Sequence, residues 1–261
     1  MIKKTIASFA VILLSIQCIR FTAIAFDIHP LTPITKKADQ SDIDSQFDLG
    51  WRYHKGNGVK KDDSKAFALW TAAAHKGHAA AQHNLALLYF NGLGVEKSEI
   101  EAVKWFRKAA EAGFPQAQRN LGSCYESGIG VKQNYFEAEE WFRKSALSGL
   151  PEGQFALGYC YSQGWGVEQN DSEASKWYQE SAQNGLPEGQ FIIGLRYKNG
   201  RGVKKDEVEA YAYFHLASPR HDDARKERDS LKKKMTKEQI AAAQRRTKEL
   251  QAQIEAKVAA K

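Results

Sequence analysis

Three histidines stand close together in the chain, and imidazole is the side chain best suited to metal binding or acid–base chemistry near neutral pH. His75, His78 and His83 fall within a nine-residue segment. Gly77 interrupts a predicted helix between the first two, so their rings do not share one helix face, and their spacing matches no zinc-binding pattern. The helix dipole also favours a histidine near a helix C-terminus. We therefore expect no metal site and no cofactor.

A serine and a lysine also fall at a spacing known from catalysis. Ser230-x-x-Lys233 matches the first part of the serine β-lactamase signature, but no Ser-Asp-Asn or Lys-Thr-Gly motif accompanies it. The sequence also lacks the His-Glu-x-x-His, Cys-x-x-Cys, Gly-Lys-Ser/Thr and Gly-x-Ser-x-Gly motifs of other enzyme classes. We therefore predict no catalytic residues and a chain that is not an enzyme.

The elements that carry these residues come from a 36-residue unit that is repeated five times without an insertion. A Gly-x-Gly-Val turn marks each copy and ends at Gly58-Val59, Gly94-Val95, Gly130-Val131, Gly166-Val167 and Gly202-Val203. A tyrosine keeps the same period, at Tyr53, Tyr89, Tyr125, Tyr161 and Tyr197. A period of this length is typical of a solenoid, in which each small unit buries its hydrophobic face against its neighbours.

Each copy is predicted to form two helices. The first, residues 79–91 in the second copy, places Leu85, Ala86 and Tyr89 on one face and ends at Gly92. The second helix starts at an N-cap residue that is followed three positions later by glutamate in four of the five copies, which predicts reciprocal capping-box hydrogen bonds. The N-cap residues are Asp62, Ser98, Asn134, Asn170 and Asp206.

The third copy shows the whole pattern in sequence: Leu121-Gly122, Tyr125, Gly128-x-Gly130-Val131, Ala138, Trp141-Phe142, Ser145-Ala146 and Gly149. It resembles the Sel-one-like repeat, a relative of the tetratricopeptide repeat, over about residues 45–218. The resemblance implies an α-solenoid that binds other proteins or peptides, often as an adaptor. One secreted branch of that family is linked to β-lactam binding, but the cysteine pair that its members bear in each repeat is missing here. An envelope hydrolase or β-lactam-binding protein stays as the alternative function.

These observations predict an all-α protein, an α/α solenoid of five 36-residue helix-turn-helix repeats with a C-terminal helical cap. We place the repeats at residues 45–219, a linker at 26–44 and the cap at 220–261. Cys124 and Cys160 hold the same position in consecutive copies, where neighbouring helices lie too far apart for a disulfide. We expect both cysteines to be buried packing residues.

The first 25 residues have the features of a secretory signal. Lys3-Lys4 precedes an apolar stretch from Ile6 to Ile19, and Ala23-Ile24-Ala25 fits a cleavage site. The apolar stretch is short for a membrane span, so an uncleaved anchor is the less favoured interpretation. We expect an exported protein, periplasmic or secreted, that is cleaved near Ala25.

The net charge of +7 is concentrated at the two ends of the chain. Residues 1–25 carry +3 and residues 220–261 carry +6, which leaves −2 on the repeat body. A nucleic-acid groove needs its basic residues on the binding surface, so we expect no nucleic-acid partner. We interpret the basic tail as the terminal cap that a solenoid needs. The alternative is contact with an acidic partner or, peripherally, with a membrane surface; the oligomeric state stays open.

Two positions on the first helices differ between the copies, whereas the core positions do not. They lie two residues before and two residues after the core leucine and share one helix face. One column holds Phe47, His83, Arg119, Phe155 and Phe191, and the other holds Trp51, Leu87, Ser123, Tyr159 and Leu195. Large aromatics and arginine are common binding anchors. We predict that these residues, Ser123 excepted, bind a protein or peptide partner; packing against the next repeat is the equally weighted alternative.

Overall fold

The computed structural model describes residues 42–259, apart from the side chain of Val258, and this part of the chain is built from α-helices without a strand. The predicted signal segment, and all of the predicted linker before residue 42, lie outside the described residues. The first helix begins at Ile43, inside the predicted linker, because Asp42 caps it by accepting a hydrogen bond from the Ser45 N–H at 3.0 Å.

The described chain divides into two compact units, residues 42–133 and residues 134–259. The N-terminal unit holds α1 (Ile43–Lys55), α2 (Asp63–His75), α3 (Ala79–Asn91), α4 (Glu99–Glu111) and α5 (Pro115–Ser127). The C-terminal unit holds α6 (Tyr135–Leu147), α7 (Pro151–Gln163), α8 (Asp171–Gln183), α9 (Pro187–Asn199), α10 (Glu207–Ala217), α11 (Asp222–Lys232) and α12 (Lys237–Ala259). Within each unit, every repeat helix packs on the next one in sequence. The predicted all-α solenoid of five consecutive repeats is confirmed.

The second helices start where the sequence predicts. The side chains of all five predicted N-cap residues accept hydrogen bonds from backbone N–H groups of the first turn. The predicted hydrogen bond from the N–H of the N-cap residue to the glutamate side chain was wrong. The N–H of Ser98 donates to the carbonyl of Tyr89 at 2.9 Å, so Glu101 is free to pair with Lys104 at 2.6 Å instead.

The same backbone hydrogen bond forms in other copies, including the first, which has Lys65 in place of the glutamate. The N–H groups of Asp62, Asn170 and Asp206 donate to the carbonyls of Tyr53, Tyr161 and Tyr197, each at 2.9 Å. This bond joins the end of the first helix of a repeat to the start of its second helix. A complete capping box forms at α12, where Thr236 and Gln239 exchange hydrogen bonds of 2.9 and 3.2 Å.

The second glycine of the turn sets the distance between consecutive repeats. Gly94 has φ +69, and a Cβ atom there would collide with the backbone carbonyl of Asp63, the first residue of α2. Gly202 stands in the same relation to Asp171 in the C-terminal unit. The turn of one repeat therefore lies directly against the backbone of the preceding second helix, and only glycine permits that approach.

A glutamine that the sequence reasoning overlooked also joins the repeats. Its side-chain amide donates to a backbone carbonyl near the end of the preceding second helix, at 3.1 to 3.3 Å, and the same carbonyl also accepts from the N–H of the closing glycine. The donor–acceptor pairs are Gln82–Ala74, Gln118–Ala110, Gln154–Ala146 and Gln190–Ala182.

The amide oxygen of this glutamine is satisfied in some copies by a residue 30 positions later. Asn184 Nδ2 donates to Gln154 Oε1 at 2.8 Å, and Lys76 Nζ donates to Gln46 Oε1 at 3.4 Å. Gln82 Oε1 is buried and has no hydrogen-bond partner among the described residues, because the matching position holds Ala112.

The C-terminal helices close the last repeat. Ala243, Leu250 and Ile254 of α12 are buried, and α12 packs on α10 and α8. Arg246 Nε donates to Glu209 at 2.5 Å across the α10 contact. His221, which replaces the closing glycine of the other copies, caps α11 through its Nδ1 atom, which accepts from the Ala224 N–H at 3.3 Å.

Both cysteines among the described residues are buried thiols, and burial raises the pKa of Cys124 to about 12. Among residues 42–259, no helix combines the length and the apolar character that crossing a bilayer requires.

We expect Ala112→Asn to stabilise the protein by about 1 kcal/mol, because its amide supplies the missing donor to Gln82 Oε1. Conversely, Asn184→Ala should lower the free energy of unfolding by about 1–2 kcal/mol, since it leaves Gln154 Oε1 without a donor. Urea unfolding followed by circular dichroism measures both. Ala112→Asp has the same shape but no donor and serves as the control. Equal stabilisation by Asn and Asp would show that the hydrogen bond is not the cause.

Candidate functional site

In the N-terminal unit, the first predicted column begins with a residue of α1 that packs on α2 and on the N-cap residue of α3. The Phe47 ring stacks on the His78 ring at 4.6 Å and lies 6.4 Å from the Trp70 ring. The indole N–H of Trp70 donates to the Phe47 carbonyl at 3.1 Å. The Phe47 side chain is half-buried, so one part of it packs and the rest reaches solvent.

The second member of that column, His83, is a core residue. Only 6% of it is exposed, and its ring lies 5.7 Å from the Phe106 ring and 5.1 Å from the Phe114 ring. Its Nε2 atom accepts a hydrogen bond from the Asn120 amide at 3.0 Å. Burial lowers the pKa of His83 to about 4, so the ring is neutral at physiological pH.

Arg119 continues this polar chain toward the surface. Its Nη1 atom donates to Asn120 Oδ1 at 3.1 Å, which leaves the Asn120 amide nitrogen to donate to His83. Burial raises the pKa of the nearby Glu126 carboxyl to about 7, and the Arg119 charge offsets part of that rise. Arg119 is half-buried, so its positive charge lies at the edge of this face. A guanidinium there can pair with a carboxylate.

The second column is mixed in the N-terminal unit. Trp51 and Leu87 are half-buried, whereas Ser123 is 4% exposed. The first two therefore offer apolar surface that a partner could cover, and Ser123 does not.

In the C-terminal unit, the first column packs on the rings of the second helices. Phe155 meets Tyr178 edge-on at 5.3 Å. Phe191 stacks on His221 at 4.2 Å and lies 6.0 Å from Phe214. Four members of this column, one in each of four copies, therefore contact a ring 23 residues later, which is a packing role repeated along the chain. Partner binding by these residues stays a prediction.

A three-ring cluster forms around the second column in the C-terminal unit. Tyr159 meets Trp165 edge-on at 5.1 Å, and Trp165 stacks on Tyr135 at 4.6 Å. All three residues are half-buried. The other member of this column, Leu195, packs on a buried cluster formed mainly by residues of α10, α11 and α12.

Sequence reasoning missed Tyr135 and Trp165. Trp165 is the middle residue of a Gly-x-Gly turn, a position that holds Asn57, Leu93, Ile129, Trp165 and Arg201 in the five copies. Tyr135 is the first residue of a second helix, a position that holds Asp63, Glu99, Tyr135, Asp171 and Glu207. The signal was therefore present, because both positions vary between copies as the two predicted columns do.

The next copy uses these two positions for an ion pair. Arg201 Nε donates to Asp171 Oδ1 at 2.9 Å, and the buried Arg196 donates to the Asp171 carbonyl at 3.0 Å. Burial acts to raise the pKa of Asp171, but the two arginines outweigh it and the pKa is lowered. The contact between the turn and the start of the preceding second helix is therefore made by two aromatic rings in one copy and by an ion pair in the next.

The three histidines that opened the sequence analysis do not converge. His75 packs edge-on against Trp105 at 5.2 Å, His78 accepts a hydrogen bond from the Ala81 N–H at 3.0 Å, and His83 is in the core. Within residues 42–259, no group of three or more potential ligands is placed to hold a metal ion. Ser230 and Lys233 are both exposed near the end of α11.

The Sel1 repeat family model matches five consecutive segments, residues 43–78, 79–114, 115–150, 151–186 and 187–218. The chain belongs to the Sel1 repeat family. Sel1 repeat solenoids commonly serve as scaffolds for protein interactions. The comparison with curated proteins gives no match.

Solved structures place this Sel1 repeat protein among similar folds. A protective antigen of uropathogenic Escherichia coli with an SLR fold is 34% identical over 84% of this chain, with a TM-score of 0.75. This chain spans 48% of that protein, about half its length. A Sel1 repeat protein from Oxalobacter formigenes is 33% identical, covers 73% of this chain and 79% of its own, and has a TM-score of 0.68.

We expect the free energy of unfolding to fall as the pH drops from about 6.5 to about 4, because His83 is neutral when folded and takes up a proton when unfolded. The loss attributable to His83 should reach about 3 kcal/mol at the acid end. His83→Phe places in this copy the residue that other copies carry, so its stability should depend less on pH across that window. Urea unfolding at several pH values measures the difference. Parallel pH profiles for the two proteins would contradict the assignment.

Proposed function

We propose that the chain is an exported scaffold without catalytic activity that binds a protein or peptide partner through the concave face formed by its first helices. The observation that carries this proposal is the half-buried cluster of Tyr135, Tyr159 and Trp165. Tyrosine and tryptophan dominate binding hot spots because they present large apolar areas with few rotatable bonds. The rings hold one another in place, so a partner that covers them need not order them first.

The N-terminal unit supports a second type of contact. Trp51 and Leu87 supply apolar surface, and Arg119 supplies a positive charge that is oriented by Asn120. A partner with a carboxylate beside an apolar side chain would match this combination.

Export rests on the N-terminal features of residues 1–25, and a relative that is a protective antigen supports it. The mature chain would then begin near Phe26.

We propose that the basic tail is a cap and not a membrane or acidic-partner site. Several of its cations are engaged within the chain: Arg246 with Glu209, Lys257 with Glu180, and Lys226 with Asp223. Charges that are already paired contribute less to attraction of an external anion.

Trp165→Ala and Tyr159→Ala should each weaken capture of the partner by about 30-fold or more, in line with a hot-spot loss of about 2 kcal/mol. The measurement is crosslinked pull-down from the envelope fraction of the native cell, followed by titration with the recovered partner. Trp177→Ala removes a half-buried tryptophan outside the cluster and should leave capture unchanged. Thermal unfolding must stay cooperative in all three. Equal loss of capture in the Trp177 variant would assign the effect to general destabilisation.

The alternative function, a β-lactam-binding protein or envelope hydrolase, makes a different prediction. We expect the purified chain to leave β-lactams intact, because Ser230 on α11 and Lys233 just after its end are both exposed and the sequence has no second motif to complete a site. Absorbance assays of ring opening measure this. Turnover that Ser230→Ala abolishes would overturn the non-enzymatic proposal.

A further inference from the structure

The geometry of the three-ring cluster formed by Tyr135, Tyr159 and Trp165 limits what can bind on it. Trp165 stacks on Tyr135 with 28° between the ring planes and 4.6 Å between the centroids. An aromatic cage holds a cation against free ring faces, whereas two rings at this separation already cover each other. The cluster is therefore a flat platform, and a ligand can use only its outer ring surfaces and ring edges.

The indole edge of Trp165 supplies a hydrogen-bond donor to this platform. Among the described residues, the ring of Trp165 contacts Tyr135 and Tyr159, but its N–H donates to none of them. The indole N–H of Trp70, by contrast, donates to the Phe47 carbonyl at 3.1 Å. Because an indole N–H can only donate, a matching ligand presents a carbonyl oxygen beside an apolar ring.

A proline-rich segment combines these two features. A polyproline II helix has no internal hydrogen bonds, so its backbone carbonyls are free to accept from a donor on the platform. Its proline rings pack on aromatic side chains, as they do in other proteins that recognise such segments. The helix is also formed before it binds, which reduces the entropic cost of binding.

The spacing of the neighbouring rings matches the repeat of that helix. Phe155 and Tyr159 are both half-buried and lie one turn of α7 apart, about 6 Å along the helix axis. Trp165, in the turn that follows α7, lies 5.1 Å from Tyr159. Every third residue of a polyproline II helix lies on one face, about 9 Å apart. Two prolines separated by two residues can therefore contact Trp165 and the Phe155 end of this row together.

The polar side chains that follow Tyr159 in the chain are engaged with one another. Gln163 Nε2 donates to Ser162 Oγ at 3.3 Å, and Gln169 Nε2 donates to the Ser162 carbonyl at 2.9 Å. A sugar ring would also stack on a flat platform, but its hydroxyl groups need hydrogen-bond partners when they leave water. The platform therefore favours a proline ring over a sugar.

Charge adds a second requirement on the ligand. The turn that carries Trp165 continues with Glu168-Gln169, whereas the other four turns carry at least one lysine at these positions: Lys60-Lys61, Glu96-Lys97, Lys132-Gln133 and Lys204-Lys205. Glu168 is exposed, and no described residue pairs with its carboxylate. This carboxylate is complementary to a lysine or arginine beside the prolines of a partner.

We propose that the three-ring cluster binds a proline-rich segment of a protein partner in the polyproline II conformation. The Trp165 N–H donates to a backbone carbonyl of that segment, and Glu168 pairs with a basic residue that flanks its prolines. This inference rests on the proposed scaffold function and names the chemical class of the partner.

Synthetic peptides test the proposal on the purified full chain. The probe is a labelled decaproline with one terminal arginine, and fluorescence anisotropy measures its affinity. It should bind at least about 10-fold more tightly than a Gly-Ser peptide of equal length and charge, which is a flexible coil. Trp165→Phe keeps an aromatic ring beside Tyr135 but removes the N–H, and should weaken binding by about 3- to 10-fold, the effect of one hydrogen bond.

Charge reversal provides a matched control. Glu168→Lys should weaken binding of the arginine peptide by about 3-fold and strengthen binding of the same decaproline with a terminal glutamate by a similar factor. Glu96→Lys makes the same change at the same turn position of the second copy, where Leu93 stands in place of Trp165, and should leave both affinities unchanged. Equal effects of the two substitutions would show that Glu168 is not the specific contact and would overturn that pairing.

Three other results would overturn the proline proposal. They are equal affinity for the proline and Gly-Ser peptides, proline-peptide binding that Trp165→Phe and Tyr159→Ala leave unchanged, and binding of an N-acetylglucosamine oligomer to the cluster in place of the peptide. Capture of the native partner that Trp165→Ala weakens would in each case still support the scaffold function, so the two proposals fail separately.

Discussion

The spacing of the repeats within each unit depends on the contact between a turn glycine and the backbone of the preceding second helix. Gly94 against Asp63 and Gly202 against Asp171 leave no room for a Cβ atom, so consecutive repeats meet at the distance set by main-chain atoms. The tyrosine carbonyl that accepts from the next N-cap N–H sets the joint inside each repeat. Side chains then fill the space that these two backbone contacts define.

That hierarchy explains what the sequence could predict. Helix α3 was placed at residues 79–91 and the N-caps at the correct residues, because caps and glycine stops act within a few positions of the chain. The glutamate half of the capping box failed at Ser98 because a carbonyl from the previous helix, Tyr89, reaches the same N–H. A local pattern does not reveal that competitor. The backward-donating glutamines were missed for the same reason, although Gln82 and its counterparts are invariant in all five copies.

The candidate site was predicted in outline. Variation between copies identified Tyr159, but its neighbours Tyr135 and Trp165 come from two other elements. Those two positions lie 30 residues apart, as do Asp171 and Arg201 in the next copy. A comparison of these two positions across the copies shows that the ring pair Tyr135 and Trp165 is replaced in the next copy by the opposite charges of Asp171 and Arg201. The sequence could not separate binding from packing in the column of Phe47 and Phe155. Each of these rings packs on a ring of the following second helix and is still half-exposed.

The contacts that position the helices each span a glycine at a fixed separation: 8 residues from alanine to glutamine and 25 from aspartate to arginine between consecutive repeats, and 23 between rings inside one repeat. One inserted codon in the stretch that such a pair spans would put the two residues out of step. A gene encoding this protein can therefore lengthen or shorten safely only by duplication or loss of a whole 108-nucleotide unit, the coding length of 36 residues.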